Sequence, residues 1–485
     1  MDSQKVRELE AENARLRAKI TELERRLAQA DKNAEQLRAT IDKLKAALDE
    51  AERSSKRQAA PFRKPGGPKP KPKKPGRKSG KRHGIHAHGA IPSKIDEHYD
   101  VPLPDECPEC SSRDLIETQV VTQYQTEIPR RPIHRQFDIH VGCCQKCGRR
   151  VQGRHELQTS DAVGAAASQL GPDAHAAFVI LNKDLGLSHG KCARVFNTLF
   201  GIPIARATSA RSILRTARGA KSAYAQLRMD IRDSAIVVPD ETGWRIGGRS
   251  AWLHAFATDS ATCYDIGDRS GDIAERLLGL DWSGTLIHDG WSVYDRFESA
   301  WHQQCIGHLQ RRCERILETA VGAAVRLPRT VLEFIDEAFA LRRAWRGHRL
   351  TGDELAQEGL LLSAALEELV SGTFSYEPNR RLAGHILNHS IEWFWFLIDP
   401  TIDATNYRGE QAIRPAVVNR KVWGGNRTWV GGMAQRVLMS LARTLVQRGQ
   451  DVLQWFSQLR RSTTQLILPA AARPPTKLIL PAGAR

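Results

Sequence analysis

Three acidic residues far apart in the chain share a setting that invites metal chemistry. Asp240 ends the apolar run AIVVPD, Asp289 ends TLIHD, and Glu410 lies in TNYRGEQAIRP with Arg408, Arg414, Arg420 and Lys421 around it. Each has an ordinary explanation when taken alone: a turn acid at a strand end, or one member of a surface ion pair. Together they read differently. Both aspartates fall at the carboxyl ends of expected strands, where open α/β sheets place their ligand sites. Three carboxylates on neighbouring elements repel one another unless a cation lies between them. An all-oxygen donor set suits Mg²⁺ or Mn²⁺. Two such ions can stabilise both the attacking and the leaving oxygen of an in-line phosphoryl displacement.

The cysteines point to a second metal. Five of the nine crowd into residues 107–147. The pairs Cys107/Cys110 and Cys144/Cys147 are Cys-x-x-Cys knuckles with 33 residues between them, and Cys143 is left over. Two knuckles of two thiolates each supply one tetrahedral Zn²⁺, which marks a zinc ribbon. A redox motif would need only one such pair, and neither pair opens a βαβ unit.

The elements that must carry these residues follow from length and pattern. A chain of 485 residues splits into two to four domains. Its net charge of +17 and pI of about 9.7 call for a polyanionic partner, with nucleic acid first and an acidic membrane surface second. The sequence shows no bilayer-length apolar run and no secretory leader, which places the chain in the cytoplasm. Residues 1–52 carry heptads. Val6, Asn13, Ile20, Leu27, Ala34, Ile41 and Leu48 fall on one seam position, and Leu9, Leu16, Leu23, Ala30, Leu37, Leu44 and Ala51 on the other. In a parallel homodimer Lys5 faces Glu10, Glu12 faces Arg17, Lys19 faces Glu24 and Arg26 faces Asp31, all attractive, and Asn13 favours two strands. Residues 53–95 form a Pro- and Gly-rich linker, with thirteen Lys or Arg and no acid between 53 and 82. Lys71, Lys73, Lys74, Arg77 and Lys78 make this linker a phosphate-binding arm in preference to a plain spacer.

The zinc ribbon is expected over 96–155, and helices over 156–225. Arg211, Arg215 and Arg218 recur there at one-turn spacing, which fits either a helix-turn-helix DNA reader or a three-helix packing unit with a basic face. Residues 226–310 read as three strands, a helix and a fourth strand, including a hairpin at Gly247-Gly248. Residues 311–400 read as wholly helical, 401–460 bring in Glu410, and 461–485 form an irregular tail that repeats LILPA at 466 and 478. Trp244, Trp252, Trp423 and Trp429 are expected as core or hairpin aromatics.

These blocks, in this order, resemble the DDE transposases of the insertion-sequence-66 family. KPGRKSGKRHG, the CPEC…CQKC pair, DETGWRI…AWLHAF, IHDGWSVYDRF, CIGHLQRR and TNYRGEQAIRP each match a family block. The resemblance implies a multidomain α/β protein with an RNase H-like catalytic core and a helical insertion, preceded by coiled coil, zinc ribbon and helical DNA-binding region. It implies a catalytic triad of Asp240, Asp289 and Glu410 holding two Mg²⁺ ions, metal-dependent cleavage of double-stranded DNA at the element's ends, and transfer of the freed 3′-hydroxyl to target DNA. His308, Arg311 and Arg312, and Arg414 beyond the glutamate, then lie where DNA could pass; His308 as a helix packing residue and the arginines as a solvated basic face fit equally well. The resemblance also implies small accessory proteins of the same element and a bacterial, nucleoid-associated setting. Tyr407, Gly409 and Gln411 depart from the family block, and Gln411 removes a cation able to meet a phosphate. Two other classes fit parts of the pattern: a catalytically inactive DNA-binding regulator or transposase relic, and a structural coiled-coil adaptor.

Overall fold

The computed structural model describes residues 12–27, 29, 92–126, 132–158, 169–462 and 464–470. The basic segment with Lys71, Lys73, Lys74, Arg77 and Lys78, most of the heptad region and the second LILPA copy lie outside these residues. The chain divides into two units, Met1–Glu117 and Thr118–Arg485, so the division falls inside the stretch expected as a ribbon.

In the first unit, residues 12–27 form helix α1. Its seam residues Leu16, Ile20, Leu23 and Leu27 are all more than half exposed, as an unpaired coiled-coil strand would leave them. Residues 92–117 contain no helix or strand.

The second unit opens with a two-stranded antiparallel ribbon, β1 (Val141–Cys143) and β2 (Arg150–Gln152). Four helices follow: α2 (Pro172–Val179), α3 (His189–Phe200), α4 (Arg206–Gly219) and α5 (Lys221–Arg232). Ser188 caps α3 through its side chain, and Gly201 ends it in the left-handed region. Between α2 and α3 the backbone widens into a π-turn at Ile180–Asp184 and reverses at Gly186, φ 71°. A Cβ at 186 would stand 2.3 Å from Asn419 Oδ1, so glycine leaves room here for the Asn419 side chain as well as for the left-handed turn.

The sheet comprises β3 (Ile236–Ile246), β4 (Arg249–Ala257), β5 (Thr262–Gly267), β6 (Thr285–His288) and β7 (Trp301–Gln304), with α6 (Asp272–Leu278) before β6. Its order is β5-β4-β3-β6-β7. The first three strands are antiparallel, while β3, β6 and β7 run parallel. Period-two alternation sorts the side chains between the two faces. Leu253, Ala255 and Tyr264 pack with one group of helices, and Val237, Phe256, Cys263 and Leu286 with Leu227, Ile231 and Leu277 on the other side.

Helices α7 (Ile306–Leu317), α8 (Arg326–Arg346), α9 (Gly352–Val370), α10 (Glu377–Leu387) and α11 (Trp395–Ile398) bury a core of their own that joins the sheet through Val238 and Ile287. The chain then returns as α12 (Tyr407–Trp423) and α13 (Trp429–Gln447), both packed on the sheet, and ends the fold with α14 (Val452–Arg461). The unit is thus a mixed α/β protein. Two details differ from expectation. AIVVPD and WRI are one continuous strand, and WHQQ at 301–304 is a fifth strand. The tail is irregular at 464–470 yet packed, with Leu468 only 2% exposed.

Candidate active site

Pro239 opens the site. Thr285 N–H donates to Ala235 O, so alternate residues 235, 237 and 239 turn their backbone groups toward β6. A proline has no N–H to give, and the β3–β6 ladder stops at Val237 paired with Leu286. Beyond that point the strands part. Asp240 lies on β3 just past the parting, and Asp289 directly follows β6.

The third acid arrives on α12. This helix lies so close to β3 that a Cβ at Gly409 would stand 3.1 Å from Pro239 O and 3.2 Å from Asp240 Cβ. Glu410, the next residue, therefore enters the neighbourhood of Asp240. The start of α7 closes the same region: Ile306 N–H donates to Ala404 O at 3.0 Å, and Arg311 Nη2 meets Glu410 Oε1 at 3.2 Å.

The acids act on one another electrostatically. The Asp240 carboxyl is pushed up to about 7 by burial, then by the charge of Glu241, with Asp289 and Glu410 adding to it. Glu241 points to the other face of the strand, is nearly buried, and is itself raised by burial and by Asp289. Arg269 compensates Glu241 at 3.2 Å, and its guanidinium lies 4.5 Å from the ring centre of Trp252 and 5.1 Å from that of Trp291. Trp291 N–H in turn donates to Asp289 Oδ1 at 3.2 Å, so the Arg269 stack also holds the turn of the second acid. Burial, then Arg311, lowers the proton affinity of His308, against the pull of Asp289 and Glu410, and its buried Nδ1 has no hydrogen-bond partner.

The structure thus brings Asp240, Asp289, Glu410, His308 and Arg311 together, with Arg414 one turn beyond Glu410 on α12. Sequence reading missed Arg269 and its stack on Trp252 and Trp291, because no motif links positions so far apart. Trp244 is buried, edge-on to Trp423 at 5.6 Å, whereas Trp429 is 57% exposed and is not the core aromatic expected.

Among the described residues one group of three His, Cys, Asp or Glu side chains has all its donor atoms within 4.8 Å of one another: His288, His302 and Glu392. The three acids are more widely spread than that. The directions of the hydrogen bonds argue against a metal in the histidine group. His302 Nε2 donates to Phe297 O at 3.1 Å, which leaves its Nδ1 to accept from His288 Nε2 at 3.0 Å. His288 Nδ1 then accepts from Gly290 N–H at 3.2 Å. The histidine lone pairs at this contact are thus in use. A metal would have to displace the His288 ε-proton and set Nδ1–H against Gly290 N–H. The group works instead as a tie. Gln304 and His389 both donate to Glu392 Oε2, at 2.6 and 3.0 Å, so the end of β7 is anchored to the helical insertion.

The four cysteines form two knuckles of one design. In the first unit Ser111 N–H donates to Cys107 O, Cys107 N–H donates to Ser112 O, and Ser111 is left-handed at φ 57°. In the second unit Gly148 N–H donates to Cys144 O, Cys144 N–H donates to Arg149 O, and Gly148 has φ 67°. Backbone N–H groups of Cys110 and Glu109 lower the Cys107 thiol, and those of Cys147 and Lys146 lower Cys144. The repeat falls on Cys107/Cys110 and Cys144/Cys147 and leaves Cys143 out.

The fold and site define a mixed α/β protein with carboxylates gathered where two parallel strands part. The profile of the Transposase IS66 family matches residues 167–434, more than half of the chain, and the chain belongs to that family of transposases. A search of curated proteins finds no match. Among the described residues no helix is long and apolar enough to cross a membrane.

Proposed function

We propose that this chain is an active DNA transposase whose Asp240, Asp289 and Glu410 hold divalent Mg²⁺ or Mn²⁺ on an RNase H-like core. The carrying observation is the Asp240 carboxyl, raised to about 7 by burial and by three other carboxylates. Such a site has more negative charge than its surroundings neutralise, and its donors are all oxygens, which fits a hard cation. A spread wider than one coordination sphere suits two ions held by pairs of acids, not one ion held by three. The sheet order β5-β4-β3-β6-β7, with only β3, β6 and β7 parallel, and the helical insertion before α12 support the RNase H-like reading.

When bound, the ions would supply an activated water and charge stabilisation for an in-line displacement at phosphorus. The chain's own residues position the parts. Pro239 keeps the strands apart, Gly409 admits α12, and the Trp291 N–H orients Asp289. His308, Arg311 and Arg312, with Arg414, offer donors to the strands of double-stranded DNA. The matching knuckles support one Zn²⁺ on Cys107, Cys110, Cys144 and Cys147. The exposed α1 seam supports a coiled-coil homodimer. The setting is the bacterial cytoplasm at the nucleoid, with small accessory proteins of the element as further partners.

The test is purified protein with Mg²⁺ and DNA carrying the element's ends. Nicked or joined product is expected, and its loss in Asp240→Asn, Asp289→Asn and Glu410→Gln. Full strand transfer by any of the three would refute the assignment.

A further inference from the structure

Helices α2, α4 and α14 pack against one another. At their junction one set of polar groups is satisfied. Asp173 accepts from Ser457 and, at 2.9 Å, from Arg461 Nη2, while His175 Nδ1 and Ser212 Oγ meet at 2.7 Å. The cations beside them are not satisfied. Arg460 is partly buried, its Nε has no hydrogen-bond partner, and its proton affinity is lowered by burial and then by the charge of Arg215. The same two guanidiniums act on His175, which burial, then Arg460, then Arg215 depress to about 4. Neither Arg215 nor Arg460 has an ion pair among the described residues.

Arg460, partly out of water with its Nε unpartnered and facing the like charge of the exposed Arg215, costs free energy until an anion joins them. No acid of this segment is free to do so. Residues 172–221 contain eight Lys or Arg and two acids, Asp173 and Asp184. Asp173 is already engaged by Arg461, and Asp184 lies in the field of Arg443. The buried face of α4 is Ser209, Ser212, Ile213, Thr216 and Ala217, so Arg211, Arg215 and Arg218 line its exposed side at one-turn spacing. A row of cations continuing to a half-buried, unpaired one fits an anion that repeats.

We infer that Arg215 and Arg460 form a seat for one backbone phosphate of double-stranded DNA, with Arg211 and Arg218 meeting phosphates on either side. The choice of DNA rests on the transposase reading, and the seat itself does not. The contact is to the backbone and so carries no base sequence.

The experiment is fluorescence anisotropy of a labelled duplex with the full chain and no added Mg²⁺ or Mn²⁺, across a series of KCl concentrations. Withholding these ions prevents cleavage, so failure of the catalytic reading and failure of the seat remain separate results. Arg215→Gln/Arg460→Gln should lower the slope of log K against log salt by about 2, and Arg215→Gln alone by about 1, equally on element-end and random duplexes. Arg460→Lys should restore most of the affinity. Without DNA, Arg460→Gln should melt no lower than the parent, because it removes a like-charge contact. An unchanged slope in Arg215→Gln, whose exposed side chain leaves folding untouched, would overturn the seat. So would an Arg460→Gln that lowers the melting temperature but keeps the parental slope. A loss confined to duplex RNA would overturn the choice of DNA.

Discussion

Asp240→Asn should make the metal-free protein more stable, and by more as the pH rises. The carboxyl of Asp240 moves from an ordinary 3.8 to about 7 in the fold. A group whose folded value is raised gives stability that is complete below the unfolded value and is lost as pH climbs through the folded one. At 1.36 kcal/mol per unit, the full loss by alkaline pH is about 4 kcal/mol. About 2 kcal/mol of it falls between pH 5.5 and pH 8. Asparagine keeps the shape and does not titrate, so it escapes this loss. The assay is thermal unfolding of parent and variant in EDTA at the two pH values. The gap in melting temperature should widen by about 3 °C, at roughly 1.5 °C per kcal/mol for a domain of about 300 residues. Mg²⁺ should then raise the parent and leave the variant nearly unmoved. A gap that stays constant with pH, or a variant less stable at pH 8, would refute the reasoning that Asp240 is buried among uncompensated carboxylates.

Gly290→Ala should cost about 1–3 kcal/mol and depress DNA cleavage, since φ is 87° and a Cβ would stand 2.9 Å from Gln304 Oε1; a chemical melt with a nicking assay checks both. Serine at Cys107, Cys110, Cys144 or Cys147 should abolish the single zinc measured by metal analysis, while Cys143→Ser retains it. Leu23→Lys places a charge on a seam residue 53% exposed in the single chain and should convert dimer to monomer in light scattering.

The two aspartates were legible because a β-branched run ending in an acid is a local signal. The third acid was not local. Its helix reads as an ordinary charged segment, so Glu410 stood out only in company with the two aspartates and through its family block; the contact of Gly409 with Pro239 and Asp240, across about 170 residues, brings it near them. The fifth strand escaped because WHQQ looks polar. Gln303 and Gln304 are nonetheless buried, with Gln303 bonded to Trp393 O and to Phe396 N–H in the insertion, so hydrogen bonds replace the apolar pattern that sequence reading depends on. The apolar run AIVVPD stops at Asp240, which put that residue at an expected strand end. The strand continues because β4 pairs along its other side, and the proline breaks only the β6 ladder. The knuckles were readable from spacing alone, and their matching turns show why: both need a left-handed residue four places after the first cysteine, supplied by Ser111 and Gly148.

Metal binding by the three acids can be seen by anomalous scattering from a Mn²⁺-soaked crystal of the protein. Peaks are expected among Asp240, Asp289 and Glu410, and none there in Asp240→Asn. Peaks only between His288, His302 and Glu392, with none at the three acids, would contradict it.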